Sequence, residues 1–462
     1  MSSVVHLPDH SARIVASPEA VLHMRQVAGL SAGSTMDLHT GSFEFSESGG
    51  NVGFTLTINN QNDVVLVPGQ APAFLDEVEV GNATQVGNVV LNVRTACFVL
   101  RPPRPSVSGD TRLRQIHATR RAPKLIKVPD FPVGKSAALA ADGSWLSALL
   151  SDPQNGNAGP QLDAASWEFL EEIRRARSAV AERQRNNHPD PEELQSRLRR
   201  LDPGLWDRSF SHPLFGRFAI AYASIPWEPR FDDPDRIPTK LHDPIGKLSC
   251  LPWVPVTANL LVGPLGVVGN RSAALACVRF ALLSLASLTA PGELEFSVTT
   301  QTGNATDWAW TAALPAEMSP TGKAKYCVAI ADGMENFESA GLDEQAVKDN
   351  ELGLIVLGET IDDLPPYCGT VLTINDDGTC HVTNHLGQRI EGTPIGITHD
   401  YATQLAKRLG DVLSAPKALT ETSGASQPKE ANGSVVSGDG ICLLYTSPSP
   451  RDATLSRMPS SA

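Results

Sequence analysis

The sequence is short of paired cysteines, of positive charge and of long apolar runs, and each shortage removes a class of protein. Its seven cysteines, Cys97, Cys250, Cys277, Cys327, Cys368, Cys380 and Cys442, are odd in number and scattered, with no C-x-x-C pair. A disulfide framework and a cysteine-held structural zinc are therefore not expected, and the pattern reads as that of a reduced, cytosolic chain. Lysine and arginine total 38 against 51 acidic residues, a net charge of −13, which argues against general nucleic-acid affinity because such binding neutralises phosphates with basic side chains. The opening MSSVVHLPDHSARIV has no basic segment followed by an apolar run, so no secretory signal is read there. The most apolar stretch, Ala273–Ala290, is broken by Arg279 and dotted with serine; it suits a buried helix better than a membrane span. No H-E-x-x-H zinc-protease motif occurs.

What is present is enough for several folded units. A chain of 462 residues with 41% hydrophobic and 19% charged content is globular and too long for one ordinary domain. Residues 19–101 alternate apolar and polar with period two, as in Phe54-Leu56-Ile58 and Val89-Leu91-Val93, between turn-prone segments such as Asn59–Asp63; this predicts an all-β sandwich or barrel. Residues 102–160 form a basic, Pro-containing linker: Arg101–Lys127 holds eight Lys or Arg against the single acid Asp110. Such a run is ordinarily a solvated linker, with contact to anionic lipid or nucleic acid as the other reading.

Residues 161–250 read as a helical stalk with a small β segment. Trp167, Leu170, Ile173 and Val180 share one face of a helix over Leu162–Gln184, and Asp190-Pro191-Glu192-Glu193 announces a second helix with a capping residue, a first-turn proline and a capping-box glutamate. Residues 251–413 alternate apolar strands with helices, which predicts an α/β domain on a largely parallel sheet. A hairpin turned by Asp376-Asp377-Gly378 and a closing helix over His399–Val412 complete it. Residues 414–462 are Ser, Thr, Gly and Pro-rich and read as a disordered tail. The stretch from Cys442 through Asp452 resembles the translation of a sequencing adapter, so the natural chain is expected to continue differently.

One segment has the outline of a nucleotide site. Gly263-Pro264-Leu265-Gly266-Val267-Val268-Gly269-Asn270-Arg271-Ser272 is a strand, a turn and a helix start, where a phosphate loop would use backbone N–H groups and a helix N-terminus. The pattern G-x-x-x-x-G-K-[ST] is not met: Pro264 stands for the first glycine and Asn270-Arg271 precede the serine, so no lysine serves the phosphates. The spacing of Gly263, Gly266 and Gly269 also misses G-x-G-x-x-G. Asp332, at the end of an apolar strand, has the position of a magnesium-holding carboxylate, although without the lysine a loop or helix-cap role is the simpler expectation. Gly263, Gly266, Gly269, Arg271, Ser272 and Asp332 together are the candidate degenerate nucleotide site. A second G-K-S, at Gly134-Lys135-Ser136, is preceded by Pro129 and Pro132, which remove donors a phosphate nest needs.

Several of these segments, taken in order, resemble the FtsK/SpoIIIE superfamily, and within it the type VII (ESX) secretion motors of bacteria. They are His188-Pro189-Asp190-Pro191, Leu205-Trp206-Asp207-Arg208 with Phe218-Ala219-Ile220-Ala221 after it, Leu251-Pro252-Trp253-Val254-Pro255, the Gly263–Gly269 turn with its helix, Trp308-Ala309-Trp310, Ala331-Asp332-Gly333 and Leu364-Pro365. The resemblance covers about Leu162–Leu413. It implies a multidomain α+β chain: an N-terminal sandwich similar to forkhead-associated domains, a helical stalk, and a degenerate P-loop (RecA-like) domain. The sandwich lacks the Gly-Arg, Ser-x-x-His and Asn-Gly elements of those domains, which leaves phosphothreonine binding without its residues. Family members also carry transmembrane helices between sandwich and stalk, whereas residues 136–160 hold only the short apolar piece Trp145–Leu150.

The resemblance implies the non-catalytic regulatory and coupling portion of an ATP-driven translocase of protein or DNA, ending before its ATPase modules. No cofactor is then expected in this chain; ATP and magnesium would serve the full-length family member. Expected partners are other translocase subunits or a second copy, cargo through the further modules, and a membrane through the basic linker, on the cytoplasmic side. A stand-alone cytosolic adaptor with a partner-binding β domain and an inactive ATPase-like scaffold is the alternative, and a live NTPase using Lys135 or the Gly263–Ser272 turn the third reading.

Overall fold

Alternating apolar residues build the N-terminal strands. In the computed structural model the described residues are 3–5, 20–46, 52–70, 72–75, 78–87, 89–93, 95–102, 125–131, 162–202, 204–314, 324–333, 335, 344–349 and 351–414. The Gly134-Lys135-Ser136 segment, most of the basic linker and the C-terminal tail lie outside them. The first strands are β1 (Ser3–Val5), β2 (Leu22–Ala28), β3 (Thr35–Leu38), β4 (Gly41–Ser46), β5 (Val52–Ile58), β6 (Val64–Pro68), β7 (Ala73–Leu75), β8 (Val78–Glu79), β9 (Thr84–Val86), β10 (Val89–Val93) and β11 (Ala96–Arg101). They form a five-stranded sheet in the order β1-β4-β5-β6-β9 and a six-stranded sheet in the order β3-β2-β11-β10-β7-β8.

Phe54, Leu56 and Ile58, at alternate positions of β5, all turn into a core shared with Leu22, Met24, Leu91 and Phe98. Each such burial stabilises the fold by roughly 1.5–3 kcal/mol. Phe54 stacks on Phe45 with centroids 4.5 Å apart and meets the edge of Phe98 at 5.6 Å. The Asn59–Asp63 turn closes as its residues predict: Asn59 Oδ1 accepts from the N–H groups of Gln61 and Asp63, and Asn62 takes the left-handed conformation at φ 66°.

The six-stranded sheet is covered on both faces. Val27, Ala28, Val90, Cys97 and Val99 enter the large core of the α/β region, and Asn92 Nδ2 donates to Thr393 Oγ1 at 3.1 Å. Period-two patterning identifies the strands but does not say that their second face is also covered.

Helix α1 (Ala164–Asn187) is capped by Asp163, which accepts from the Ser166 N–H, and buries Phe169, Leu170, Ile173 and Ala181. Helix α2 (Pro191–Arg200) has the expected start: Asp190 accepts from the N–H groups of Glu192 and Glu193, and Pro191 fills the first turn. The Glu193 carboxylate faces Arg197 and Arg200, while Arg25 of β2 reaches the capping Asp190 at 2.9 Å.

The remaining elements are β12 (Arg217–Pro226), α3 (His242–Leu248), β13 (Cys250–Asn259), β14 (Leu265–Val268), α4 (Arg271–Leu288), β15 (Leu294–Thr299), β16 (Tyr326–Asp332), α5 (Glu344–Lys348), β17 (Leu352–Gly358), β18 (Thr370–Ile374), β19 (Cys380–Asn384), β20 (Arg389–Pro394) and α6 (His399–Ser414). Nine of these strands form one sheet, β13-β12-β20-β19-β18-β14-β17-β16-β15. The half from β18 to β15 is parallel and the other half antiparallel, so the sheet is mixed where a largely parallel one is expected. Strand β12, read from sequence as a small β segment of the stalk, lies inside this sheet. The β18–β19 hairpin and the closing helix stand where the sequence places them.

Among the described residues one helix, α4, is long and apolar enough to cross a membrane, and 89% of its apolar window is buried inside the fold. It is apolar on all sides because it is enclosed on all sides. The whole is a mixed α/β structure with several antiparallel sheets, and its described residues belong to one compact unit.

Candidate functional site

The strand β14, a two-residue turn and α4 bring the candidate nucleotide residues to the carboxyl ends of the parallel strands, where open α/β sheets place their ligands. The five parallel strands, numbered in chain order from β14 to β18, lie in space as fifth, first, fourth, third, second. The turn after the first and the end of the third, where Asp332 sits, therefore face each other across β17.

The three glycines are explained by packing. A Cβ on Gly263 would come within 2.9 Å of the Gly369 backbone, and one on Gly266 would overlap the Leu364 side chain. At Gly269 a Cβ would lie 2.7 Å from the Ile374 carbonyl, and φ is +141°. Asn270 caps α4: its Oδ1 accepts from the Ser272 N–H at 2.9 Å, which consumes a donor that a phosphate loop would turn to its ligand. Ser272 is exposed at the start of the helix.

Arg271 and Asp332 carry the electrostatics. Arg271 Nη1 donates to Asp332 Oδ1 at 2.5 Å and Nη2 to Asp332 Oδ2 at 2.9 Å, while Nη2 also donates to Asp307 Oδ2 at 2.8 Å. Thr300 Oγ1 and Trp308 Nε1 add donations to Asp332 Oδ2 at 2.6 and 2.9 Å. The Asp332 side chain is 2% exposed and that of Arg271 37%. Burial pushes the Asp332 carboxyl up, but hydrogen bonds from Arg271, Thr300 and Trp308 outweigh it and hold the group below its ordinary 3.8. The bond to Asp332, and after it the bond to Asp307, raise Arg271 further above its already basic value. Asp332 is thus the acceptor at the centre of a closed cluster, where the sequence suggests a loop residue or helix cap.

Magnesium nucleotide does not fit these residues. It needs a free cation, free N–H donors and a free carboxylate, and here Arg271, the Ser272 N–H and Asp332 are engaged with protein groups. The neighbouring cleft of about 300 Å³ is lined by Asp332, Glu335, Glu359 and Asp363 with Arg271, a surface that repels a polyphosphate.

The sequence singles out neither Thr300 nor Asp307, and Trp308 only within the Trp308-Ala309-Trp310 segment; nothing in their spacing announces the link of Thr300 and Trp308 to Asp332 or of Asp307 to Arg271. Two further matches to catalytic patterns are coincidental. Gly29-Leu30-Ser31-Ala32-Gly33 has the G-x-S-x-G spacing of a hydrolase elbow, but it joins the antiparallel strands β2 and β3, whereas the elbow needs a strand entering a helix. His381 and His385 are four apart in a hairpin, and among the described residues no group of three or more His, Cys, Asp or Glu could hold a metal.

No protein-family model matches the sequence, and no curated protein matches it. Among solved structures the fold is similar to ATPases 2 and 3 of EssC from Geobacillus thermodenitrificans, at 9% identity and TM-score 0.30, over 43% of this chain and 48% of that one. It is also similar to the cytoplasmic domain of the type VII secretion ATPase EccC of Thermomonospora curvata, at 10% identity and TM-score 0.28, over 48% and 33%. ATPases 2 and 3 of that EccC, in complex with a signal sequence peptide, give 12% identity and TM-score 0.28 over 46% and 51%. The chain spans about half or less of these structures, and at such TM-scores the likeness is distant and assigns no activity.

Proposed function

We propose that this chain is the non-catalytic regulatory and coupling portion of an FtsK/SpoIIIE-type ATP-driven translocase of protein or DNA. The observation that carries the reading is the closed cluster in which Arg271 joins Asp332 and Asp307 at the start of α4. A working phosphate loop keeps its cation and donors unsatisfied until nucleotide arrives. Here the same positions satisfy each other, so the strand–turn–helix acts as a rigid brace.

A coupling role is supported by how the β-sandwich is joined to that brace. Its six-stranded sheet shares a hydrophobic core with α4 and α6, and Arg25 reaches the cap of α2, so the N-terminal region and the nine-stranded sheet move as neighbours in one packed body. The partners in this reading are other translocase subunits or a second copy, with the basic linker contacting a membrane on its cytoplasmic side.

The test is nucleotide turnover and binding by the full chain. With magnesium ATP we expect no hydrolysis above background and no nucleotide-dependent rise in thermal stability. ATP turnover that disappears in Lys135→Ala would overturn the proposal.

A further inference from the structure

Two turns along α4 from Arg271, a second arginine stands in different surroundings. Arg279 is 9% exposed, and among the described residues its Nε has no hydrogen-bond partner. The carboxylate that favours its charge, Asp307, is already bound by Arg271. A guanidinium keeps its charge at neutral pH, and a buried cation without a counter-ion costs free energy that a fold ordinarily avoids.

Arg279 lines a chamber of about 580 Å³ on the flank of α4, within the roughly 300–1,000 Å³ range of small-molecule sites. Its other walls include Ser272 at the start of α4, Asn375 and Asp376 of the β18–β19 turn, Thr398 and His399 at the start of α6, and Ser31 of the β2–β3 connection. The two helices have 18 and 16 residues, so two N-terminal partial positive charges adjoin the space. Hydroxyls and an amide supply neutral donors, and Asp376, exposed at the rim, is the carboxylate that opposes an anion.

We propose that this chamber binds a phosphate-type oxyanion, free or as the terminal group of a small phosphomonoester, with Arg279 as its counter-ion. The bound anion would join the β2–β3 connection, α4, the β18–β19 turn and α6, segments brought together only by the fold. Occupancy would thereby set how firmly the sandwich is held to the α/β region. The chamber lies beside α4 at a place separate from the Arg271–Asp332 cluster, so the inference stands whether or not the translocase reading holds.

Thermal unfolding of the full chain, titrated with inorganic phosphate and with phenyl phosphate at constant ionic strength set by chloride, tests this. A saturable rise in Tm is expected. Arg279→Met should raise the half-saturating concentration by about tenfold or more, as loss of a charge-assisted pair implies. Ser272→Asp should do the same while remaining folded, because an acidic residue in the first turn favours the helix yet supplies a competing anion. A stronger response to phenyl phosphate would identify a monoester as the ligand and an equal response free phosphate; either supports the site. No saturable rise with either probe, or a rise that persists unchanged in both variants, would overturn it.

Discussion

Arg271 and Arg279 lie on one helix with the same side chain and opposite solutions to the same electrostatic problem. Arg271 sits at the carboxyl ends of the parallel strands, where Asp332 and Asp307 supply its counter-charge. Arg279 sits within the packed part of the helix, and among the described residues no hydrogen-bond partner meets its Nε. A nucleotide-like place has been closed from within, while a place with no nucleotide pattern has kept its cation available. Sequence motifs point to the first; the electrostatics of the fold point to the second.

One substitution made at both arginines should therefore give opposite signs. Arg271→Met strands the buried Asp332 and should destabilise the fold by about 3 kcal/mol in urea unfolding, toward the low end for a broken buried pair because the guanidinium is 37% exposed. Arg279→Met removes a buried cation and fills similar volume, and should stabilise the anion-free protein by about 1–2 kcal/mol. Destabilisation at both sites would erase the contrast.

Asn270→Ala sharpens it from the helix start. Losing the bond to the Ser272 N–H should cost about 1 kcal/mol without creating nucleotide binding, because Arg271 remains held by Asp332. Saturable ATP binding in that variant would show that the cap, and not the ion pair, closes the site.

The smallest effect is one of pH. The Asp332 carboxyl is held below its ordinary value in the folded state, so its contribution is complete above that value and is lost as pH falls through the folded one. The stability deficit of Arg271→Met should therefore narrow as pH falls through the acidic carboxylate range toward the depressed folded-state value. A deficit that stays constant over that window would mean that the ion pair is not its source.

Much of the architecture is legible without coordinates. Asp190-Pro191 predicts a helix start because side-chain capping and a proline without an N–H are local matters. The strand Leu265–Val268 is read from its run of apolar residues and its flanking glycines, and the β18–β19 hairpin from Asp376-Asp377-Gly378. The lone charge of Arg279 is visible too, as an interruption in an apolar helix, but its meaning is not. Whether a buried cation has a counter-ion depends on residues that sequence does not bring near it. The same holds for Asp332, whose partners Arg271, Thr300 and Trp308 are 24 to 61 positions away.

Sequence alone thus determined the parts set by neighbours along the chain: the strands of the sandwich, the starts of α2 and α4, and the missing lysine at the Gly263–Ser272 turn. Tertiary structure decided the parts set by neighbours in space: the second covered face of the six-stranded sheet, the entry of β12 into the large sheet, the pairing of Arg271 and the isolation of Arg279. Propensity and capping act over a few residues. Charge compensation and close packing act over a few ångströms, and only folding makes those distances short.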